Sequence, residues 1–379
     1  MIYFDNAATS YPKPECVYEA LGRAVRYAGG NPGRGGHILA ARSAEEVYYS
    51  RESVAKLMGC ESPERVAFTG GATHALNAAI SGLAPDKGEI LISDIEHNSV
   101  RRAALSCRNR GCEVRIYNTF PELDKTLADF AQKINGRTSV AVACHRSNIC
   151  GRTLPIKEMA DICRKKGIPF VIDAAQSAGC SEIAFDTLGA DILCAPGHKG
   201  LLGIMGCGIM LISKRLPPER IRPLISGGSG VDSLSPAMPA VFPERLEAGT
   251  LPVPAICALK AGVDFVSQVG AREIEKREQQ LCELAKDRLL SFRGKVTVYC
   301  PDENNGSCLL FNVSGYGSEE CAARLSKAGI CVRAGYHCAP LAHRAIGTPE
   351  GGAVRASFGF FNTKKETDQL FSAVRSMIY

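Results

Sequence analysis

The 379-residue chain lacks several features that would have settled its class at once. It has no run of five like charges, and 45 lysines and arginines against 39 aspartates and glutamates leave a net charge of only +6. Nucleic acid is therefore not an expected partner. No apolar stretch reaches the roughly 20 residues that span a bilayer; the most apolar, residues 201–213, contains Gly203, Gly206 and Gly208. The opening MIYFDNAATS has neither the basic start nor the apolar centre of an export signal. No G-x-G-x-x-G string occurs, which removes the fingerprint of nicotinamide-dependent oxidoreductases. Nor does any pair among the 17 cysteines form C-x-x-C, the spacing that zinc sites favour. These cysteines read as reduced thiols, most of them small buried hydrophobes, in a cytoplasmic protein with no membrane partner and no metal.

What is present is ordinary globular composition, 45% hydrophobic and 22% charged, on a chain long enough for two or three domains. Between about residues 64 and 213, short apolar runs alternate with amphipathic patterns. The runs at 66–71, 89–94, 113–118, 139–148, 169–176, 191–196 and 206–213 read as buried strands. Helical patterns at 123–134 and 155–167 lie between them, so the fold class is α/β: a seven-stranded, mostly parallel sheet with helices on both faces. From Leu216 to Pro254 eight prolines replace periodicity with an irregular crossing segment. A helical stretch at 255–291, strands at 295–300, 307–315 and 331–335, and a closing helix at 363–378 make a smaller α+β lobe. The expected division is a large domain over 16–250 and a small domain made of 1–15 and 251–379.

In such a sheet, ligands collect at the carboxyl ends of the strands. Five of these ends carry polar residues: Gly70-Gly71-Ala72-Thr73, Glu96-His97-Asn98, Ser147-Asn148, Asp173 with Gln176, and His198-Lys199. Singly each has a structural reading as cap, turn or solvated lysine; together they outline a site. The glycines before the helix at 74–81 offer backbone N–H groups to an anion such as phosphate.

Ten strings in order, FDNAATS (4–10), RGGH (34–37), GGATHALN (70–77), EHNS (96–99), SNICG (147–151), IDAAQ (172–176), GHKG (197–200), RLEAGT (245–250), RAGYHCAP (333–340) and VRASFGFFNT (354–363), carry a resemblance over nearly the whole chain. It resembles the class V branch of fold-type I pyridoxal-phosphate enzymes, and within it the cysteine desulfurase and selenocysteine lyase group. The resemblance implies pyridoxal 5'-phosphate as cofactor, held on Lys199, with Asp173 facing the ring nitrogen and Gln176 and Asn148 on the ring substituents. His97 is implied to cover the ring face, and Ala72, Thr73 and His198 to hold the phosphate. Thr250 is implied to reach the phosphate of a second subunit, hence a homodimer. Pro196 departs from the pattern where a serine commonly donates to the phosphate. Cys338 stands as the nucleophile, with His337 or a nearby cation to promote its thiolate. Arg355 is implied to grip a substrate carboxylate, with Asn6 and His37 at the site's edge.

The expected activity is removal of sulfur from L-cysteine to give L-alanine and a persulfide on Cys338, passed on to a sulfur-acceptor protein such as an iron–sulfur scaffold. Three alternatives stay open: L-selenocysteine as substrate, a class V aminotransferase that has no use for Cys338, and a catalytically silent scaffold. A zinc site at Cys331, His337, Cys338 and His343 is disfavoured because 337 and 338 are adjacent.

Overall fold

The structure is a computed structural model that describes residues 1–33, 35–303 and 306–379; Arg34 of the RGGH string lies outside the described residues. The chain enters through a short strand, β1 (Ile2–Tyr3), and two helices, Glu15–Tyr27 and Ile38–Leu57. Seven strands follow: β2 (Val66–Thr69), β3 (Glu89–Ser93), β4 (Glu113–Tyr117), β5 (Thr138–Cys144), β6 (Phe170–Asp173), β7 (Ile192–Pro196) and β8 (Gly208–Ile212). They form one sheet in the order β2-β8-β7-β6-β5-β3-β4, parallel except where β8 runs against both neighbours.

Strand periodicity explains why this sheet is covered on both sides. Ile90, Ile92, Val140, Val142, Val171, Ile192 and Ile212 point to one face, toward the helix Ala72–Leu83. Leu91, Ala141, Ala143, Phe170, Ile172, Leu193 and Leu211 point to the other. Successive residues along a strand alternate in this way, and an all-apolar run is what burial on both faces demands. Each such valine, leucine, isoleucine or phenylalanine removed from water stabilises the fold by about 1.5–3 kcal/mol relative to an exposed one.

The small lobe is built from β9 (Val296–Val298), β10 (Cys308–Val313), β11 (Ile330–Cys331) and β12 (Val354–Ser357). β10 pairs antiparallel with β9 and β12, while β11 pairs with β1 of the N-terminus. The helical stretch expected at 255–291 is two helices, Val253–Val269 and Ala271–Leu290, bent by 81° at Gly270. The first, with Ile256, Leu259 and Val263 buried, joins the core beneath the large sheet, whereas Leu281, Cys282 and Leu289 of the second join Phe4, Phe311 and Val374 in a separate core. The two helices thus pack into different cores on either side of Gly270. No single helix among the described residues is long and apolar enough to cross a membrane.

Candidate active site

The carboxyl ends of the parallel strands open into a cavity of about 410 Å³, within the range of about 300–1,000 Å³ common for small-molecule sites. Of the residues singled out from sequence, Ala72, Thr73, His97, Asn148, Asp173, Gln176, His198, Lys199, His337 and Arg355 all line it.

At one end, the helix Ala72–Leu83 points its N-terminus into the cavity through Gly70 and Gly71. Gly71 has φ +136°, a conformation costly for any residue with a Cβ. A Cβ on Gly208 of the neighbouring strand would lie 2.6 Å from the Gly71 Cα, so glycine at both positions lets helix and sheet meet. The first-turn N–H groups of a helix have no partner within the helix itself, and here they sit at its positive end facing the cavity. His198 stands in the same cavity, and its Nδ1 is buried with no hydrogen-bond partner among the described residues.

Deeper in the cavity, Asp173 ends β6, is 3% exposed, and accepts from the Ala175 N–H at 2.9 Å. Burial raises its pKa, while the Ala175 N–H and the Lys199 charge pull the other way. Lys199 follows β7; enclosure by protein draws its amine down to about 8, with Asp173 opposing and Arg355 adding to the fall. The lysine turn is fixed by close backbone packing, since a Cβ on Gly179 would lie 2.2 Å from the Gly200 carbonyl oxygen. His97 accepts from the Ser99 N–H at 3.0 Å through Nδ1 and caps the helix Asn98–Ser106. Burial first, then Lys199 and nearby arginines, hold it neutral with a pKa near 4. Gln176 donates to the Ala7 carbonyl at 3.0 Å.

The third wall comes from Arg333 and His337 of the segment 333–340. His337 (φ +50°) and Cys338 (φ +59°) are consecutive left-handed residues, a conformation that persists only when its surroundings enforce it. Here the Asn98 N–H donates to the Cys338 carbonyl at 2.7 Å and Asn148 Nδ2 to the His337 carbonyl at 3.0 Å. The reversal throws the two side chains apart. Cys338 is exposed, whereas His337 is 3% exposed with its ring turned inward. His337 Nε2 donates to the Arg333 carbonyl at 3.2 Å, which leaves Nδ1 to accept from His343 Nε2 at 3.1 Å, and His343 Nδ1 in turn accepts from Thr348 Oγ1 at 2.9 Å. With both nitrogens engaged and burial pulling its pKa down to about 3, His337 is a neutral anchor and not the cation beside the thiol. That position belongs to Arg333, whose Nη2 lies 3.6 Å from Cys338 Sγ. Arg333 was readable only as one charged residue within RAGYHCAP, five before the cysteine.

Arg355, on β12, is fully buried; its Nη2 pairs with Asp5 Oδ1 at 2.7 Å and its Nη1 donates to the Asn148 carbonyl at 3.0 Å. Its Nε has no partner among the described residues. Asp5, which orients this guanidinium, stands in the string FDNAATS as a single charged loop residue with no spacing signal of its own. Pro196 lines the cavity and supplies no donor. His74, given no role from sequence, also lines the cavity, where its Nδ1 accepts from the Gly70 N–H at 3.1 Å.

Four residues expected at the site do not line this cavity; one of them, Cys338, is exposed at its edge against Arg333, which does. Asn6 ties the N-terminus to the small lobe, donating to the Tyr3 and Ser357 carbonyls at 3.3 and 3.1 Å. His37 is exposed and caps the helix Ile38–Leu57 by accepting from the Ala40 N–H at 3.3 Å. Thr250 is exposed, 3.4 Å from Asn31 Nδ2.

Comparison with known proteins agrees with this geometry. The sequence pattern of the family described as aminotransferase class-V matches residues 2–370. A probable cysteine desulfurase of Methanothermobacter thermautotrophicus is 32% identical over 374 residues, covering 97% of this chain and 92% of that protein. Another, of Pyrococcus abyssi, is 33% identical over 390 residues, covering 100% and 94%. Among solved structures, the apo cysteine desulfurase of Thermococcus onnurineus superposes with a TM-score of 0.91 at 30% identity, covering 100% of this chain and 94% of that one. A cysteine desulfurase of Escherichia coli superposes with a TM-score of 0.88 at 25% identity, covering 100% and 95%.

Proposed function

The chain belongs to the aminotransferase class-V family, and from that premise we propose that it is a pyridoxal-phosphate-dependent cysteine desulfurase, releasing L-alanine and leaving the substrate sulfur on Cys338. The observation that carries this reading is the joining of two halves of a site. One half is a lysine and a buried carboxylate in a single cavity; the other is an exposed cysteine beside an arginine on the wall of that cavity.

The residues present fit the cofactor. Lys199 would carry its aldehyde carbon, Asp173 would face the ring nitrogen, and His97 would cover the ring. The N–H groups at Ala72 and Thr73, with the unpartnered Nδ1 of His198, would take the phosphate. When bound, pyridoxal phosphate supplies an electron-poor ring that stabilises negative charge on the substrate Cα.

The protein's own groups perform the rest. Arg355, oriented by Asp5, binds the substrate carboxylate and fixes the direction of the Cα–H bond. Lys199, with its amine brought to about 8, takes that proton on Nζ near neutral pH. Cys338, as thiolate, attacks the substrate sulfur: the new S–S bond forms, the C–S bond breaks, and its electron pair stays with carbon and is later protonated. Arg333 holds positive charge beside the sulfur while this happens. The persulfide then passes to an acceptor protein by attack of the acceptor's thiolate.

Thr250 and His37, exposed and outside the cavity, are assigned to the site of a second copy, so the working unit is a homodimer. Leu234, 99% exposed in the same crossing segment as Thr250, and Ile38, 65% exposed and next to His37 in sequence, are apolar side chains that a partner would cover.

The test is turnover of L-cysteine with a reductant present, scored as alanine and sulfide in equal amounts. Lys199→Ala is expected to lose rate by about 10²–10⁴-fold, the usual contribution of a positioned proton-transfer group. Turnover that requires a keto acid, or that survives the Lys199 change, would refute the proposal.

A further inference from the structure

Outside this cavity two more cysteines meet across the two lobes. Cys150 lies in the loop that follows β5 and is 1% exposed; Cys300 lies just after β9, half-buried, at φ +53°. Their Sγ atoms and a carboxylate oxygen of Glu303 all fall within 4.8 Å of one another. Arg152 closes the group: Nε and Nη2 donate to the two Glu303 oxygens at 2.6 Å each, and Nη1 donates to Thr119 Oγ1 at 3.0 Å.

The chemistry of this cluster is that of a dithiol. A guanidinium already bonded to both Glu303 oxygens opposes a metal cation there by like charge. The same surroundings favour one thiolate in the pair: the Cys300 thiol donates to the Cys150 sulfur, burial opposes, and the Arg152 backbone and charge help, with the net effect of lowering Cys150. Cys300, the more exposed of the two, gives an oxidant its path.

We propose that Cys150 and Cys300 form a reversible disulfide that fastens the large-lobe loop to the small lobe when the protein meets a peroxide. The pair's thiolate attacks one peroxide oxygen, giving a sulfenic acid and hydroxide. The second cysteine's sulfur then attacks the sulfenic sulfur, the S–O bond breaks, and water leaves. Two thiols lose two electrons and the peroxide is reduced to two waters. The S–S bond, about 2.05 Å long, draws the turn at Cys300 against the loop that holds Asn148. Asn148 bonds both the His337 carbonyl and Arg355, so the crosslink bears directly on the segment carrying Cys338.

The test is a peptide map that needs no activity and so stands or falls apart from the desulfurase reading. The full-length holoenzyme is exposed to one equivalent of hydrogen peroxide, unfolded in N-ethylmaleimide and digested without reductant. The expected result is a peptide pair joined through Cys150 and Cys300, released by dithiothreitol and absent from Cys300→Ser. Maleimide on both residues after Cys338 has been oxidised would overturn the proposal, as would either residue joined to a different cysteine.

Discussion

In the proposed mechanism the cation beside Cys338 is Arg333, 3.6 Å from its sulfur, and not the histidine next to it in sequence. Adjacent residues share a chain but not a direction: two successive left-handed conformations turn His337 inward and leave Cys338 outside. That reversal was invisible in the string RAGYHCAP, because neither residue is a glycine and nothing in the spacing announces a positive φ. Lys199, Asp173 and His97 were legible because each ends or follows a strand whose direction periodicity had already fixed, whereas Arg355, inside the unexpected strand Val354–Ser357, was singled out by the resemblance alone. Asp5 and Arg333 were not, since a lone charge in a loop reads equally as a solvated one. A charge-assisted contact of the Arg333 kind contributes about 1.5–3 kcal/mol, or roughly 10–100-fold in rate. Arg333→Ala should therefore slow L-cysteine turnover by about that factor, and Arg333→Lys should restore part of it. Unchanged kcat in Arg333→Ala would remove the arginine from the mechanism.

Among the elements, the seven large-sheet strands were readable because burial on both faces makes each an unbroken apolar run. The bend at Gly270 was not, since helical periodicity continues on either side of it. The turn that presents Lys199 depends on Gly179, at φ +83° with the Gly200 carbonyl in the way of any Cβ. Gly179→Ala should cost more than the ~1–3 kcal/mol of a strained backbone alone, whereas Gly167→Ala, at φ +66° in open space, should cost less; urea unfolding distinguishes them. The segment holding Cys338 rests on His337 and His343, whose pKa values burial lowers from 6.5 to about 3 and about 4. Below pH 6.5 the unfolded histidines bind protons that the folded ones refuse, so stability falls as pH drops from about 6.5 toward 4. His343→Gln should show a shallower fall in urea midpoint over that window. An identical slope would mean that the histidine pair does not hold the segment.

For the whole molecule, two cores meet at one cavity: the large sheet supplies the lysine and carboxylate, and the small lobe supplies Arg333 and Arg355, with Cys338 exposed beside Arg333 at the edge. The proline-rich crossing is irregular as far as residue 252, just before the next helix begins, and up to there its only helical piece among the described residues is the turn Pro218–Arg220. The exposed Leu234 and Thr250 of that crossing predict a dimer by sedimentation, and a monomer with full activity would dismiss the shared-site assignment. The account as a whole is tested most directly by locating the sulfur. The enzyme is mixed with L-cysteine and no acceptor, quenched, and mapped by mass. One added sulfur atom on the peptide bearing Cys338, removed by reductant and matched by released alanine, is the result expected. Alanine formed with the extra sulfur on another cysteine, or on none, would contradict it.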